Sequence, residues 1–232
     1  MGFKQKNADQ CLYTRKEKNG NVTYILLYID DLLVAGTSAE VTQGVSKELQ
    51  RFFGIRDLGD INYYLGIQIK READGSFLLS QKGKIAKLLE EYGLVEPKPM
   101  TTPMEAGFLN SRMSDSTRLK NNCQYRKAIG SLLYIVTVSR PDIALAVGIL
   151  SRCVEKPTEG DWKAIKRIMR YLASTINKEL RLSSSEEIKL ECFVDADWAD
   201  DKTDRKSTNG YVFRLGDNII AWSSRKQTAV AM

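Results

Sequence analysis

The stretch Val22-Thr-Tyr-Ile-Leu-Leu-Tyr-Ile-Asp-Asp-Leu-Leu-Val-Ala-Gly36 decides how the rest of this chain is interpreted. Two adjacent acidic residues, Asp30 and Asp31, separate two short apolar runs. Runs of this length that are rich in β-branched and aromatic residues predict two strands joined by a tight turn. The sequence therefore predicts a β-hairpin with an acidic pair at its tip.

The acidic pair has no basic neighbour in the sequence. No Lys or Arg lies between Lys18 and Lys47, so neither carboxylate has a local counter-charge. A half-buried carboxylate without a partner is costly, and it tends to take up a proton or to bind a cation. We therefore interpret Asp30 and Asp31 as ligands of a divalent metal ion. The alternative is a solvated turn that is acidic without being a site.

Composition restricts the chemistry that this chain can perform. Its 232 residues contain no histidine, which excludes Ser-His-Asp and Cys-His catalysis and any His-ligated metal within the chain. A bound metal must be held by oxygen ligands, which favours Mg²⁺ or Mn²⁺. The net charge of +6 is compatible with a polyanionic partner but does not require one.

The length fits one large or two modest domains. The longest apolar stretch, 128–138, is too short to span a bilayer, and the N-terminus has no signal-peptide pattern. The four cysteines lie far apart in the sequence, which predicts reduced thiols. We therefore expect an intracellular protein, cytoplasmic or nuclear, that is not secreted and has no membrane partner.

The residues around the hairpin predict a small α+β unit. Residues 1–20 are polar and mixed, so we expect little structure ahead of the hairpin. After it, residues 37–40 form a capping box that starts a helix ending at Gly54. Apolar residues at helical spacing would face the hairpin sheet: Val41, Val45, Leu49 and Phe52.

Farther along, 61–72 and 76–80 predict two strands joined by an Asp-Gly turn, followed by a short helix that ends at Gly93. Three prolines and a polar run then predict a linker at 97–122. Residues 123–176 predict three helices, the second and third opened by Pro141 and by the pair Pro157-Thr158. From Ile188 onward, alternating segments and tight turns predict strands.

The third helix has two chemically distinct arcs on a helical wheel. Its apolar arc consists of Trp162, Ile165, Ile168, Met169 and Leu172. The opposite arc, called here the basic ridge, consists of Lys163, Lys166, Arg167 and Arg170. A ridge without acidic residues suits nucleic-acid phosphates. The alternative is an ordinary solvated face, although such faces usually mix both signs of charge.

The tetrapeptide Tyr28-Ile29-Asp30-Asp31 resembles the Tyr-x-Asp-Asp motif of reverse transcriptases, and its flanks resemble the Pol polyprotein of copia-type retrotransposons. The other segments that carry the likeness are 57–67, 79–81, 125–134, 139–144, 162–172, 193–199, 204–213 and 222–227. The last three of these segments resemble the beginning of the copia-type ribonuclease H domain. The likeness covers the chain in the family's order.

This resemblance implies an α+β fold made of a partial reverse-transcriptase palm with antiparallel hairpins and helices, a three-helix thumb-like segment, and the first strands of a ribonuclease H-like fold. The corresponding divisions are 1–96 for the palm, 97–122 for the linker, 123–180 for the helical segment and 186–232 for the truncated ribonuclease H-like domain.

The resemblance also implies RNA-directed DNA polymerisation and cleavage of RNA in RNA–DNA hybrids, both by two-metal phosphoryl transfer with Mg²⁺ or Mn²⁺. Asp30, Asp31 and Asp195 would be catalytic metal ligands, and Tyr28 would contact nucleic acid with the basic ridge. The implied partners are an RNA template, the RNA–DNA hybrid, deoxynucleoside triphosphates and other parts of the polyprotein. For the other acids near Asp195, the favoured interpretation is a solvated turn.

The chain also departs from the family pattern. The family's polymerase site needs a third Asp from an upstream strand, and its ribonuclease H site needs further downstream carboxylates, so we expect a Pol fragment that is inactive alone. Asp161 stands where family members usually carry His, and an acid there would weaken contact with phosphates. The alternatives are a non-catalytic nucleic-acid-binding protein that uses the basic ridge, and an inert or assembly-dependent remnant.

Overall fold

The computed structural model describes residues 1–109, 117–184, 188–198 and 204–229. Within these residues the fold combines helices with antiparallel sheets, as the α+β prediction requires. The chain divides into two compact units, residues 1–64 and residues 65–232. This division lies well before the segment 97–122, where the composition of the sequence places a boundary.

The first unit is an antiparallel sheet with one long helix. Its elements are β1 (Lys4–Lys6), β2 (Asp9–Lys16), β3 (Val22–Tyr28), β4 (Asp31–Ala35), α1 (Ala39–Phe52) and β5 (Tyr63–Tyr64). The strands β1 to β4 lie in sequence order. Tyr28 pairs with Asp31, so only Ile29 and Asp30 lie between β3 and β4. The predicted hairpin is confirmed, and its turn is as short as a hairpin allows.

The expectation of little structure ahead of the hairpin is wrong. Strand β2 pairs with β3 over residues 12–16, with Leu12 opposite Leu26 and Tyr13 opposite Ile25. The sequence of β2 does not show the apolar–polar alternation that predicts a strand, because Arg15 lies on the same face as Tyr13. Arg15 is accommodated there by ion pairs with Glu17 and Glu48. A two-stranded hairpin alone is marginally stable, and the added strands complete a sheet that can carry a core.

Helix α1 covers one face of this sheet, as predicted. Ser38 caps the helix, with its side chain accepting a hydrogen bond from the Val41 amide. Val45 and Leu49 are buried and form a small core with Ile25. Phe52, expected in that core, is instead 68% exposed because it ends the helix, and Ile55 packs on the core after the chain has left the helix.

The second unit contains three groups of elements. The first is β6 (Ile67–Arg71), β7 (Phe77–Ser80) and α2 (Lys82–Glu91). The helices that follow are α3 (Cys123–Val138), a 3-10 turn (Pro141–Ile143), α4 (Ala144–Ser151) and α5 (Glu159–Ser174). The last group is β8 (Leu180–Leu182), β9 (Leu190–Ala196), β10 (Thr208–Leu215) and β11 (Asn218–Lys226).

The predicted strand over 61–72 is interrupted. Leu65 and Gly66 both have positive φ, +49° and +82°, which no continuous strand accommodates. The turn before β7 is confirmed, with Gly75 at φ +82° and its amide donating to the Glu72 carbonyl. Strand β7 then pairs with β6 on one side and with β8 on the other.

The helices of the second unit enclose its core, and the three helices predicted over 123–176 are all present. Fully buried side chains come from every helix of this group, for example Ile85, Leu132, Val147 and Ile165. The described part of the predicted linker lies against this core: Met100, Met104, Phe108 and Leu119 pack on it. The Met100 amide also donates to the Ser174 hydroxyl of α5 at 3.1 Å.

A buried ionic network joins the 3-10 turn to the end of α5. Arg140 is 1% exposed, and its guanidinium donates to both carboxylate oxygens of Asp142, at 2.9 and 2.8 Å. It also donates to the carbonyl and hydroxyl of Thr175. Burial alone would raise the pKa of Asp142, but hydrogen bonds from Arg140 and Tyr171, and the charges of Arg140 and Lys178, lower this pKa below its ordinary value.

Strands β9, β10 and β11 form an antiparallel sheet in the order β11-β10-β9, and the Gly216-Asp217 turn joins the last two strands as predicted. Leu190 and Val194 of β9 are strongly exposed, and they lie opposite Leu215 and Tyr211 of β10. None of the helices in the described part of the chain is both long enough and apolar enough to cross a membrane.

Candidate active site and nucleic-acid contacts

The tip of the β3–β4 hairpin projects into solvent and is conformationally strained. Ile29 has a positive φ of +52°, although a β-branched side chain disfavours this region. Its side chain is 79% exposed, so packing against the described residues does not compensate for the energetic cost of that conformation. A positive φ at only the first of two turn residues corresponds to a type II′ hairpin turn, which favours glycine there.

Asp30 and Asp31 are both exposed. Among the described residues, neither carboxylate takes part in an ion pair or accepts a side-chain hydrogen bond. The predicted half-buried environment is therefore wrong, and burial cost gives no argument for a metal here. What the structure does provide is an unpaired pair of acids fixed by a two-residue turn.

Asp31 and Tyr28 lie on the face of the sheet opposite α1. Ile25 and Val34 pair with each other and pack in the core under α1. Since side chains alternate along a strand, the pair Tyr28 and Asp31 points to the other face. Tyr28 is 49% exposed. The hairpin thus presents an aromatic ring directly beside a carboxylate on an open surface.

Tyr64 is a further polar residue near the tip, and no role for it was predicted from the sequence. Its hydroxyl is buried and has no hydrogen-bond partner among the described residues. Burial raises the pKa of Tyr64, and the negative charge of Asp31 raises it further. The only sign of Tyr64 in the sequence is its place in one of the segments that resemble copia-type proteins.

The donor set at the tip fits a hard cation in part. Mg²⁺ is usually bound through one or two carboxylates, with water and substrate phosphates completing its shell. Asp30 and Asp31 supply two such carboxylates. In the described ranges, no group of three or more Asp, Glu, Cys or His side chains could hold a metal ion. Asp30 and Asp31 could hold such an ion if water and phosphate oxygens completed its shell.

Asp195 lies in the second unit, one residue before the end of β9 and opposite Gly210 of β10. Its side chain is exposed. The neighbouring acids have structural partners: Asp197 accepts from the Thr208 amide at 3.0 Å, and Asp204 pairs with Lys226 at 2.8 Å. Asp200 and Asp201 lie outside the described residues.

The predicted basic ridge on α5 is only partly available. Its apolar arc packs in the core as predicted. Arg167, however, pairs with Glu105 at 2.9 Å and donates to the Thr102 hydroxyl at 3.0 Å. The Nε atoms of Arg167 and Arg170 are buried. Lys166 lies over the Trp162 ring at 5.4 Å. Of the four cations, Lys163 is exposed and the other three are half-buried.

Asp161 does not lie on the outer surface of α5. It is fully buried and forms a capping box, in which its carboxylate accepts from the Thr158 amide at 2.9 Å and its own amide donates to the Thr158 hydroxyl at 3.1 Å. The expected repulsion between this acid and a phosphate backbone therefore has no structural basis, because the carboxylate is committed to the start of the helix.

Comparison with known proteins identifies the family. The family described as "Reverse transcriptase (RNA-dependent DNA polymerase)" matches residues 1–106, which include the whole hairpin. An uncharacterized mitochondrial protein of Arabidopsis thaliana is 37% identical over 208 residues, covering 90% of this chain and 85% of that protein. The retrovirus-related Pol polyprotein from transposon RE1 of the same plant is 38% identical over 230 residues. The chain belongs to the family of retrovirus-related Pol polyproteins of copia-type transposons.

The relationship extends to a second plant transposon. The retrovirus-related Pol polyprotein from transposon TNT 1-94 of Nicotiana tabacum is 36% identical over 231 residues, which is 97% of this chain. The chain spans only 15% of the RE1 polyprotein and 17% of the TNT 1-94 polyprotein. No solved structure gave a significant match. The resemblance to copia-type Pol polyproteins that the sequence motifs indicated is confirmed.

Proposed function

We propose that this chain is a reverse-transcriptase fragment whose hairpin tip forms part of the polymerase active site. The observation that carries the proposal is the exposed, unpaired pair Asp30 and Asp31, held by a two-residue turn beside Tyr28. The reverse-transcriptase family match over residues 1–106 supports it. Rigid placement of carboxylates is what two-metal phosphoryl transfer requires from the protein.

In this proposal, Asp30 and Asp31 hold divalent metal, Mg²⁺ or Mn²⁺. When bound, such ions stabilise the attacking and leaving oxygens of a phosphoryl transfer. The protein's own contribution is positional: the turn keeps the two carboxylates adjacent, and the exposed ring of Tyr28 offers a surface for a nucleic-acid strand. RNA template, primer and deoxynucleoside triphosphates are the proposed ligands.

We also propose that the chain does not polymerise by itself. The family pattern calls for a third carboxylate at the polymerase site, and the hairpin supplies two. Loss of a metal-anchoring carboxylate typically lowers the rate by orders of magnitude. By the same resemblance, Asp195 on β9 is the proposed ligand of a ribonuclease H-like site that requires further acids.

Two measurements test the polymerase proposal. The first is primer extension on an RNA template with Mg²⁺ or Mn²⁺, for which we expect no product from the chain alone. The second is paramagnetic broadening of amide resonances by Mn²⁺ in the presence of template–primer. We expect broadening centred on residues 28–32, lost in the Asp30→Asn/Asp31→Asn variant.

Asp60→Asn is the matched control, because Asp60 is another exposed acid of the first unit with no ion pair in the described structure. This variant should keep the Mn²⁺ broadening. Broadening that survives loss of both hairpin acids would refute the proposed metal site. Extension by the chain alone that disappears in Asp30→Asn would confirm the site but overturn the proposed inactivity.

A further inference from the structure

A polar cleft of about 310 Å³ lies in the second unit, where the chain enters α3. One wall is the extended segment that carries Arg118 and Lys120, and the other wall carries Glu155 and Lys156. None of these four side chains has a role in the proposed polymerase or ribonuclease H chemistry. In the sequence, the first wall belongs to the polar segment predicted as a linker.

Backbone and side-chain hydrogen bonds fix the two walls to each other. The Leu119 amide donates to the Pro157 carbonyl at 3.0 Å, and the Glu159 amide donates to the Thr117 carbonyl at 2.9 Å. The Asn122 carboxamide donates to the Val154 carbonyl at 2.9 Å. The cleft is therefore preformed and does not depend on a ligand for its shape.

Alternation along the first wall places two cations on the same side. Leu119 packs on the hydrophobic core of the unit. Because residues alternate in an extended segment, Arg118 and Lys120 both point away from that core, and both are exposed. Lys156 is exposed on the opposite wall. Three cations thus line one small cleft.

These cations are unpaired. Within the described residues, Arg118, Lys120 and Lys156 make no ion pair and donate no side-chain hydrogen bond. Glu155 is the acidic residue of the lining, so the cleft keeps an excess of positive charge. Like charges held close together repel each other, and an anion between them relieves that repulsion.

The start of α3 adds to the positive potential of the cleft. Asn122, the residue before the helix, makes no capping hydrogen bond, and the Cys123 amide donates to the side-chain oxygen of Asn121 at 2.8 Å. The first turn of α3 contains no acidic residue. The N-terminal end of a helix carries a partial positive charge, which favours an anion close to it.

We propose that this cleft binds a phosphate group of a nucleic-acid strand through Arg118, Lys120 and Lys156. The proposal deepens the proposed function, because it gives the strand a phosphate contact that lies apart in sequence from the acidic hairpin. An arginine supplies a planar pair of donors for phosphate oxygens, and the two lysines supply mobile point charges. The same chemistry would accept a free phosphate or a nucleotide.

The first test uses inorganic pyrophosphate, which does not depend on polymerase function. Amide resonances of the full chain are followed during the titration. We expect shifts concentrated at residues 118–122, 155 and 156, with the hairpin residues 28–32 unaffected in the absence of divalent metal. Shifts that are absent, or that are spread over all basic surfaces, overturn the proposal.

The second test measures affinity for a labelled single-stranded 20-nucleotide DNA, with and without a 5′-phosphate. The variant Arg118→Gln/Lys120→Gln/Lys156→Gln should bind at least 10-fold more weakly. The slope of log K against log salt should become shallower by about 0.7, since the cleft is proposed to hold one phosphate and each single-strand phosphate contact contributes about that amount. Equal losses with both oligonucleotides indicate internal phosphates, whereas a loss confined to the 5′-phosphorylated strand indicates a terminal phosphate site.

The matched control is Lys87→Gln/Lys98→Gln/Arg225→Gln. It removes the same charges from exposed positions of the same unit that have no ion pair in the described structure. We expect less than a twofold change in affinity. An equal loss in control and test variants would mean that total charge, and not the cleft, governs binding, and the proposal fails. The variant Arg118→Lys/Lys120→Arg/Lys156→Arg should restore binding.

The outcomes separate this proposal from the polymerase proposal. A chain that binds the strand equally well with and without the three cations retains its proposed function but has no phosphate site in the cleft. If Mn²⁺ does not broaden the hairpin resonances of the unsubstituted chain but pyrophosphate still shifts the cleft resonances, the polymerase site is refuted and the phosphate site in the cleft stands.

Discussion

The two compact units of this chain divide chemistry and stability unequally. The first unit places its acidic pair on a sheet whose buried core is essentially Ile25, Val45 and Leu49. The second unit encloses an extensive core between its helices and adds the buried Arg140–Asp142 network. The two carboxylates of the proposed polymerase site, Asp30 and Asp31, therefore belong to the unit with less buried apolar surface, and we expect this unit to be the less stable one.

The two units also differ in how their energetically costly residues are accommodated. In the first unit, the strained residue Ile29 lies at the functional tip, where no packing in the described residues compensates for its positive φ. In the second unit, the costly group is Arg140, and almost every polar atom of its guanidinium is satisfied. An uncompensated strained residue is typical of a functional site, whereas a buried charge with its hydrogen bonds satisfied is typical of a structural core.

The largest expected effect comes from removing Arg140. Arg140→Met keeps the length of the side chain but leaves Asp142 partly buried without its main partner, which typically costs about 3–5 kcal/mol. All three tryptophans, Trp162, Trp198 and Trp222, lie in the second unit. Denaturant unfolding followed by tryptophan fluorescence should therefore report this loss.

Arg126→Met is the control, since Arg126 is exposed on α3 and makes no ion pair in the described part of the chain. A surface change of this kind should stay within about 0.5 kcal/mol. If Arg140→Met lowered the free energy of unfolding no more than Arg126→Met does, the buried network would not contribute to the stability of the second unit.

A smaller effect is expected in the first unit. Val45 is fully buried in its core, so Val45→Ala should destabilise this unit by about 2 kcal/mol. Hydrogen exchange of the β3 amides should report the loss, whereas tryptophan fluorescence, which reports the second unit, should not shift. If hydrogen exchange and tryptophan fluorescence reported the same loss of unfolding free energy, the two units would unfold together in one cooperative transition.

A gain of up to about 1 kcal/mol is expected from Ile29→Gly, because glycine adopts the positive φ of this position without a Cβ clash, and this outweighs its greater freedom in the unfolded chain. Ile29→Ala retains the Cβ and should change little. Hydrogen exchange of the hairpin amides measures both variants. A loss of protection in Ile29→Gly would contradict the strain at the tip.

The smallest effect is a pH dependence in the second unit. The pKa of Asp142 is lowered in the folded state, so its contribution to stability is fully present above the ordinary carboxyl pKa of about 4 and is lost as pH falls through the folded pKa. The difference in unfolding free energy between the wild type and Asp142→Asn should shrink below about pH 4. A difference independent of pH would mean that the carboxylate charge does not stabilise this unit.

Local sequence patterns were sufficient to predict most of the secondary structure. The Asp-Asp hairpin, the Ser38 cap of α1, the Asp74-Gly75 turn and the helix started by Thr158 all depend on residues a few positions apart. Such features follow from backbone preferences and short-range hydrogen bonds, so a sequence contains the information needed to predict them. The family resemblance, carried by short motifs in order, was equally accessible.

Two of the misplaced features depend on long-range contacts. Strand β2 exists because it pairs with β3, and its ion pairs to Glu17 and Glu48 account for a charge pattern that looked irregular. Arg167 was assigned to a free basic ridge, but Glu105, distant in the sequence, pairs with it. Wheel positions show which face a side chain occupies, but they do not show what else covers that face.

The sequence by itself determined the family, the α+β class, the acidic hairpin and the exclusion of histidine chemistry, because composition and local spacing encode these properties. Only the tertiary structure decided that the acid pair is exposed and unpaired, that the basic ridge is partly covered, and that Arg118, Lys120 and Lys156 meet in one cleft. Exposure and charge pairing depend on which distant segments pack together, and no local pattern specifies that packing.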